Sequence, residues 1–298
     1  MVEIDIMPAP QSSNIQHGDI ATGHNTTSSS PTSSRGINDT FLRRWTLLGT
    51  LETLGRIRPH DGCVLLLTKN LCVKHGALVQ LSEASTLRYM GEHTIIPVPK
   101  VHCAFVHKDK TYILMDRIDG KTLIRGWRTR SAESKGKILA QLKKMVDQLR
   151  SLPPPSARIS NVDGGPVYDC RFPGTSSAIG PFDTIHDFHR FLRNGVEAHP
   201  RNLPDVNRMV ALQDRPWPMP VFTHGDLSSL NILARGDDIV GIIDWETSGW
   251  YPSYWEHSMA WNVNPRNVFW REEVSKFLDA TPEEVEMEQI RLAYFGDV

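Results

Sequence analysis

Three polar residues that could bind a metal ion or transfer a proton lie in one short stretch of the chain, VFTHGDLSSLNILARGDDIVGIIDWE, at residues 221–246. Asp226 and Asn231 are five positions apart, and Asp244 follows Asn231 by thirteen positions. Carboxylate and amide oxygens are the ligands that hard divalent cations prefer, and a positioned carboxylate can also accept a proton. The stretch therefore contains the side chains that metal-assisted proton transfer requires.

Apolar runs around these residues predict the strands that position them. A turn at Arg235–Asp238 is followed by the apolar run Ile239–Ile243, which leads directly to Asp244. A hairpin of this length returns the chain to its starting point, so we expect Asp244 to lie beside Asn231.

The segment His224–Asn231 has the same frame as the protein-kinase catalytic loop, H-R-D-L-x-x-x-N. In that loop the aspartate receives the proton of the substrate hydroxyl, and the asparagine binds magnesium. Asp226 is then the candidate base, with Asn231 and Asp244 as candidate metal ligands. Each of these residues taken singly is better explained by a turn or a strand end, so the prediction depends on their combination.

The chain before this stretch alternates apolar runs with turns. The pattern predicts strands at Cys63–Leu67 and Leu71–Lys74, a helix at Ser82–Met90 that ends at Gly91, and strands at Val101–Val106 and Thr111–Met115. Lys74 and Glu83 can form the ion pair that holds a phosphate-binding lysine, although each alone is typical of a surface charge. The connector with Met115, Asp116 and Ile118 can present groups to a nucleotide.

These patterns divide the chain into three parts. Residues 1–37 are rich in Ser, Thr, Asn, Gly and Pro and are predicted to be a disordered tail. Residues 38–119 form a strand-rich, nucleotide-binding N-lobe that begins with a helix between Asp39 and Gly55. Residues 120–298 form a mainly helical C-lobe with the catalytic and acceptor-binding groups, including an amphipathic helix that ends before Pro153.

Composition excludes several classes of partner. The formal net charge is -1, from 33 basic and 34 acidic residues, so no global field attracts nucleic acid or an anionic membrane. The apolar runs are too short to cross a bilayer and no signal pattern is found, so a cytoplasmic protein is expected. The four cysteines are expected to be buried reduced thiols. The sequence does not indicate an oligomeric state.

Aromatic residues are frequent at and after the end of the stretch 221–246. They are Trp245, Trp250, Tyr251, Tyr254, Trp255 and Trp261. Such a group could form a cage for a cationic substrate, but core packing is the expected use. Glu256 and His257, which lie among them, are interpreted as ordinary helix residues.

Together these motifs resemble the aminoglycoside phosphotransferase and choline-kinase-like family of small-molecule kinases. The similarity is carried by Val73-Lys74, Ser82-Glu83-Ala84, Met115-Asp116 with Gly120, His224-Gly225-Asp226 to Asn231, and Ile243-Asp244-Trp245-Glu246. The resemblance implies an α+β, bilobal, protein-kinase-like fold with a small antiparallel sheet and one helix in the N-lobe. It also implies ATP and Mg²⁺ as cofactors and a small-molecule hydroxyl as the acceptor.

The resemblance assigns roles to individual residues. Asp226 would be the catalytic base, Asn231 and Asp244 the metal ligands, and Lys74 with Glu83 would lie at the phosphates. His224 would brace the loop.

Two departures from the family leave alternatives open. Ser228-Ser229-Leu230 stands where relatives often have a proline and a histidine, and the segment Arg56–Asn70 before Lys74 contains one glycine, Gly62. A catalytically weak or inactive pseudokinase-like module is therefore a competing hypothesis. A second is a metal-dependent hydrolase that uses His224, Asp226 and Asp244.

Overall fold

A computed structural model describes residues 34–173, 176–262 and 265–296. Within these ranges the helices are α1 (Phe41–Leu54), α2 (Leu81–His93), α3 (Ala132–Ser151), α4 (Ile185–Leu192), α5 (Pro204–Gln213), α6 (Trp255–Trp261), α7 (Arg271–Val274) and α8 (Pro282–Phe295). The strands are β1 (His60–Asp61), β2 (Val64–Leu66), β3 (Leu71–Gly76), β4 (Val101–His107), β5 (Lys110–Asp116), β6 (Lys121–Thr122), β7 (Val167–Tyr168), β8 (Ala178–Ile179), β9 (Val221–Thr223), β10 (Ile232–Arg235), β11 (Asp238–Ile242) and β12 (Gly249–Tyr251). Single-turn 3-10 helices lie at Trp127–Thr129 and Trp245–Thr247.

The N-lobe is an antiparallel sheet with the strand order β1-β2-β3-β5-β4. Because side chains alternate between the faces of a strand, Val73 packs with Leu47 of α1 on one face. Cys72 packs on the other face in the core that contains α2. Lys74 points the same way as Cys72, toward α2 and the C-lobe. The structure contains the predicted strands and helices of this lobe in the predicted order, and it adds β1 before them in the sheet.

Helix α2 is longer than the sequence predicts. It continues through Gly91, where an added Cβ would meet nothing closer than a Val98 methyl group at 4.0 Å, so this glycine is not needed to end the helix. The helix ends instead at Thr94, whose hydroxyl donates a hydrogen bond of 2.7 Å to the Met90 carbonyl.

The C-lobe is mainly helical, and α3 buries the apolar face that its sequence predicts, including Ile138, Leu142 and Val146. These residues belong to the same hydrophobic core as Leu87 of α2 and Ile242 of β11. The two lobes therefore share one core, and the fold is the α+β bilobal arrangement that the sequence predicts. Every helix in the described ranges is too short or too polar to span a bilayer.

Most of the aromatic residues between positions 245 and 261 are core residues. Trp245, Trp250, Tyr251, Tyr254 and Trp255 are all buried, and Trp261 is half-buried. The expectation of core packing is confirmed for the five buried rings, which are not placed to form an open cage for a cationic substrate.

Two expectations are wrong. Ile37, the last residue of the predicted tail, is only 6% exposed and pairs with Ala104 of β4, because β4 is an edge strand that can accept a further partner. Residues 1–33 of the predicted tail lie outside the described residues. Cys72 and Cys103 are buried as expected, but Cys63 and Cys170 are exposed, because both lie in connections between strands.

A buried histidine predicts the pH dependence of stability. The ring nitrogens of His189 lie 3.0 Å from the Gln213 carbonyl oxygen and 2.9 Å from the Tyr254 hydroxyl. Burial lowers the pKa of His189 to about 3. Since the unfolded chain binds the proton near pH 6.5, acidification below that pH lowers the free energy of unfolding by up to about 1.4 kcal/mol per pH unit.

We therefore expect His189→Gln, which keeps a donor and an acceptor but does not titrate, to flatten the decline of stability between pH 6.5 and pH 4. Urea unfolding of both proteins across this range measures the effect. Parallel curves would contradict it.

Candidate functional site

One buried lysine joins the two lobes at the predicted site. The Lys74 ammonium lies 2.8 Å from the Glu83 carboxylate of α2, as the sequence predicts. It also lies 2.6 Å from Asp244 and 3.1 Å from Glu246, which belong to the C-lobe. Strand β3 and helix α2 thus meet the end of the β10–β11 hairpin at a single cation.

The cluster places one ammonium group among three carboxyl groups. Burial by itself lowers the pKa of Lys74, but the carboxylates of Glu83, Asp244 and Glu246 outweigh burial and raise it. The ammonium is therefore protonated, while burial raises the pKa of Glu83 to about 7 and also raises the pKa of Glu246. One oxygen atom from each of these three residues lies within 4.8 Å of the others, an arrangement that can bind a cation.

Asp226 and Asn231 are in direct contact. The Asn231 side-chain amide donates hydrogen bonds of 2.8 Å to the Asp226 carboxylate and 2.9 Å to the Asp226 carbonyl. Burial raises the pKa of Asp226, opposed by the charge of Arg171 and by the Asn231 hydrogen bond. The side-chain oxygen is then the atom of Asn231 that can bind a cation.

The β10–β11 hairpin brings Asp244 back to Asn231. Ile243, which directly precedes Asp244, donates a hydrogen bond of 2.9 Å from its N–H group to the Asn231 carbonyl. Asp244 itself has a left-handed backbone with φ of 65°. Few residues other than glycine tolerate this conformation, but aspartate and asparagine do so more readily than most.

Glu256 holds the start of the segment His224–Asn231, the predicted catalytic loop. This carboxylate is 1% exposed and accepts hydrogen bonds from the backbone N–H groups of His224 (2.6 Å) and Gly225 (3.1 Å). The interpretation of Glu256 as an ordinary helix residue is therefore wrong. A buried carboxylate on α6 fixes the backbone immediately before Asp226.

The carbonyl groups of the loop are also bound. Thr247 donates to the His224 carbonyl at 2.9 Å, and Trp270 donates to the Leu227 carbonyl at 3.1 Å. The Ser229 hydroxyl donates to the side chain of Asn267, and its carbonyl accepts from the N–H of Ile124. These bonds define the shape of the loop despite its unusual Ser228-Ser229-Leu230 sequence.

His224 braces the loop. Its Nε2 lies 3.0 Å from the Ile243 carbonyl oxygen, and its Nδ1 accepts a hydrogen bond of 3.2 Å from the Asp226 N–H. Burial lowers the pKa of His224, which favours the neutral ring. Because both ring nitrogens are occupied, His224 has no atom left for a metal ion, and this removes one ligand that the hydrolase hypothesis needs.

The predicted nucleotide connector runs from the end of β5 to β6. Met115 is 7% exposed, and the Asp116 N–H already donates 3.0 Å to the Lys100 carbonyl. The Asp116 carboxylate lies 2.6 Å from His102 Nε2. Ile118 packs against Gly241 of β11, where an added Cβ would lie 2.5 Å from the Ile118 side chain. The Asp116 side chain and N–H group are therefore already bonded within the protein, and Ile118 is half-buried.

The β1–β2 connection in the N-lobe is a tight turn. Strands β1 and β2 pair His60 with Leu65 and Asp61 with Val64, which leaves a two-residue turn at Gly62–Cys63. Gly62 has φ of 57°, in the region that favours glycine. The turn presents few backbone N–H groups compared with a long glycine-rich loop.

Sequence reasoning missed Glu246, Glu256 and Arg171. Glu246 follows Asp244 by two positions and could have been found from that spacing. Glu256 and Arg171 reach the loop from distant parts of the chain, and their sequence neighbourhoods contain no signal of this contact.

The fold has two lobes and is kinase-like, and a lysine bound by three carboxylates lies where the lobes meet. These two features place the protein in the class of kinase-like proteins. Residues 76–288 match the family described as the phosphotransferase enzyme family. The chain belongs to this family. The kinase-like phosphotransferase that the sequence predicts is thereby confirmed. Comparison with curated protein sequences finds no match.

Solved structures with a similar fold include the aminoglycoside phosphotransferase APH(4)-Ia, with a TM-score of 0.55, 14% identity, and coverage of 86% of this chain and 90% of that chain. A gentamicin complex of APH(2")-IIa has a TM-score of 0.51 and 12% identity, covering 86% and 87%. A candidate fructosamine-3-kinase from Haemophilus somnus 129PT has a TM-score of 0.52 and 12% identity, covering 84% and 90%. At these identities the similarity shows the fold.

The role of Glu256 leads to a stability prediction. Glu256→Gln replaces one acceptor oxygen with an N–H₂ group that faces a backbone N–H, so we expect the free energy of unfolding to fall by about 2 to 4 kcal/mol. Chemical denaturation measures the change. Glu286→Gln, a half-exposed carboxylate bound to Arg208, is the matched control and is expected to leave the midpoint unchanged. Equal midpoints for both variants would contradict the assignment.

Proposed function

We propose that this protein transfers the γ-phosphate of ATP to a hydroxyl group of a small molecule. The observation that carries the proposal is the contact of Lys74 with carboxylates of both lobes beside the Asp226–Asn231 pair. Phosphoryl transfer depends mainly on positioning and on compensation of phosphate charge. A lysine, a base and oxygen ligands at one point of the cleft supply these requirements.

Each residue of the site has a proposed role. Asp226 orients the acceptor hydroxyl and accepts its proton, since its carboxylate is held by Asn231 and lies in a partly buried site. Lys74 binds phosphate oxygens, and Glu83 holds the lysine in place.

Asn231 and Asp244 would hold Mg²⁺, and Glu246 lies close enough to assist. The residues fit such an ion, because Asp244 has a carboxylate and Asn231 an amide oxygen, the ligand types that Mg²⁺ prefers, and the hydrogen bond from Ile243 to Asn231 brings them to the same end of the β10–β11 hairpin. A bound divalent cation supplies compensation of the phosphate charge. With that charge compensated, the proposed task of Lys74 and Asp226 is to orient ATP and the acceptor hydroxyl.

The lobes have separate proposed tasks. Residues 38–119 bind the nucleotide, with the connector at Met115, Asp116 and Ile118 beside the base. The observed geometry favours contacts through backbone groups and Ile118, because the Asp116 carboxylate is bound to His102. Residues 120–298 supply the catalytic loop and the acceptor site.

The acceptor is a hydroxylated small molecule. Structures of similar fold are complexes with ADP and hygromycin B or with gentamicin, which supports a nucleotide and a polyhydroxylated acceptor as substrates.

One observation favours a second candidate function, a pseudokinase-like module that binds nucleotide without efficient transfer. The two-residue turn at Gly62–Cys63 gives the phosphates fewer backbone donors than a glycine-rich loop. Turnover separates the two functions.

The first test of the proposed function is substitution of the base. Asp226→Asn keeps the contact with Asn231 but cannot accept the proton, so we expect kcat to fall by at least about 100-fold while ATP binding is retained. ADP release with magnesium and ATP is measured across sugars, aminoglycosides, amino alcohols and other hydroxylated metabolites. Asp238→Asn, an exposed residue at the hairpin turn, is the control and is expected to behave like the parent.

Undiminished turnover in Asp226→Asn would overturn the mechanism. Binding of ATP by the parent without turnover of any acceptor would favour the pseudokinase-like module.

The metal site is tested without relying on activity. We expect ATP with Mg²⁺ to raise the melting temperature of the parent, and ATP with a chelator to raise it much less, because the cation links the phosphates to Asn231 and Asp244. Asp244→Asn is expected to weaken the magnesium-dependent part by roughly 10-fold or more in apparent affinity, with Asp238→Asn as the control. Equal shifts with and without magnesium would contradict the assignment of these ligands.

A further inference from the structure

The turn that follows β7 carries Arg171, whose side chain reaches the predicted catalytic loop at Gly225. The Asp169 carboxylate is fully buried and accepts hydrogen bonds from Arg171 Nε at 2.7 Å and Arg171 Nη2 at 2.6 Å. It also accepts the Arg171 backbone N–H at 2.9 Å. This bidentate pair fixes the plane of the guanidinium group more strictly than a single hydrogen bond would.

The turn that carries this pair is itself fixed in the C-lobe. The Asp169 N–H donates 2.8 Å to the Ser177 carbonyl across the β7–β8 hairpin. Phe172 is 3% exposed, and its ring lies 6.1 Å from Phe188 and 6.0 Å from Trp255. Arg171 is therefore held at both its backbone and its side chain before it reaches the loop.

The Nη2 nitrogen that binds Asp169 also binds the loop. Arg171 Nη2 donates a hydrogen bond of 2.6 Å to the Gly225 carbonyl. The same peptide group has its N–H, which belongs to Asp226, bonded to His224 Nδ1 at 3.2 Å. The peptide that precedes Asp226 is thus bound at both of its polar atoms.

Gly225 makes this external contact necessary. Its φ of 83° lies in the region that favours glycine, and an added Cβ would come within 2.7 Å of the Thr247 carbonyl oxygen. A glycine is required at this position, yet glycine is also the residue whose backbone rotates most freely. The orientation of the Gly225–Asp226 peptide therefore has to be set by neighbouring groups.

We propose that Arg171 is a positioning residue for phosphoryl transfer, which fixes the Gly225–Asp226 peptide so that the Asp226 carboxylate meets the acceptor hydroxyl. Glu256 binds the N–H of Gly225 and Arg171 binds its carbonyl, so the two residues divide the task. Asp169 acts through Arg171. This inference rests on the proposed function.

The test is a guanidinium-rescue experiment. Arg171→Ala is expected to lower kcat by about 100-fold, because misplacement of a catalytic group by about 1 Å has an effect of this size. The KM for ATP is expected to stay within about twofold, since Lys74, Glu83 and Asp244 are unchanged. Guanidinium chloride at low millimolar concentration, far below the denaturing range, is expected to restore a substantial part of kcat.

Variants of the same pair separate positioning from general stability. Asp169→Asn is expected to lower kcat similarly but without rescue, because it removes the carboxylate that orients the guanidinium group. Arg171→Lys is expected to lie between parent and Arg171→Ala, since one ammonium cannot bind Asp169 and Gly225 with the same geometry. Arg208→Ala, which breaks a surface pair with Glu286, is the control and is expected to keep the parent kcat.

A kcat for Arg171→Ala within threefold of the parent would overturn the proposal, as would a defect that guanidinium does not relieve in a folded variant. If Arg171→Ala does not fold, the Arg171→Lys variant is the test. An unchanged kcat in folded Arg171→Lys would show that simultaneous binding of Asp169 and Gly225 by a guanidinium group is not needed, and would overturn the proposal. A parent without turnover would refute the proposed function alone. The exchange rate of the Asp226 amide hydrogen then decides: faster exchange in the folded variant supports positioning by Arg171, and an unchanged rate overturns it.

Discussion

A single ammonium group, Nζ of Lys74, is bound by carboxylates that come from both lobes of the molecule. Burying this lysine would be unfavourable without such partners, and burying the Glu83 carboxylate would be unfavourable without the lysine. The sheet, helix α2 and the β10–β11 hairpin therefore have to meet at one point. This mutual requirement links the position of the N-lobe to the position of the catalytic loop.

The catalytic loop has no regular secondary structure, but its backbone is bound on all sides. Glu256 accepts hydrogen bonds from backbone N–H groups of the loop. The carbonyl groups of the loop accept hydrogen bonds from Arg171, Thr247 and Trp270, and from the side chain of Asn231 within the loop. A buried loop must satisfy its backbone polar groups in this way. The consequence is a fixed Asp226 on a segment that would otherwise be free to rotate at Gly225.

The sequence was sufficient for those features that depend on local pattern. The order of strands in the N-lobe, the amphipathic face of α3 and the return of the hairpin to Asn231 follow from periodicity and turn position. Glu256 and Arg171 could not be predicted, because their contacts with Gly225 join segments that are distant in sequence. The predicted end of α2 at Gly91 is wrong, since an isolated glycine destabilises a helix by only about 1 kcal/mol relative to alanine and does not by itself end it.

The left-handed backbone of Asp244, with φ of 65° and ψ of 60°, also restricts how this family member can evolve. Most side chains are strained by about 1 kcal/mol or more in that conformation, and a glutamate is no exception although its charge is suitable. Aspartate, asparagine and glycine are the residues that the backbone accepts most readily. A descendant that loses Asp244 is therefore expected to carry asparagine or glycine there, and to keep its shape while it loses the charge. Such a copy would keep the backbone path at the end of the hairpin and lose one of the carboxylates that bind Lys74.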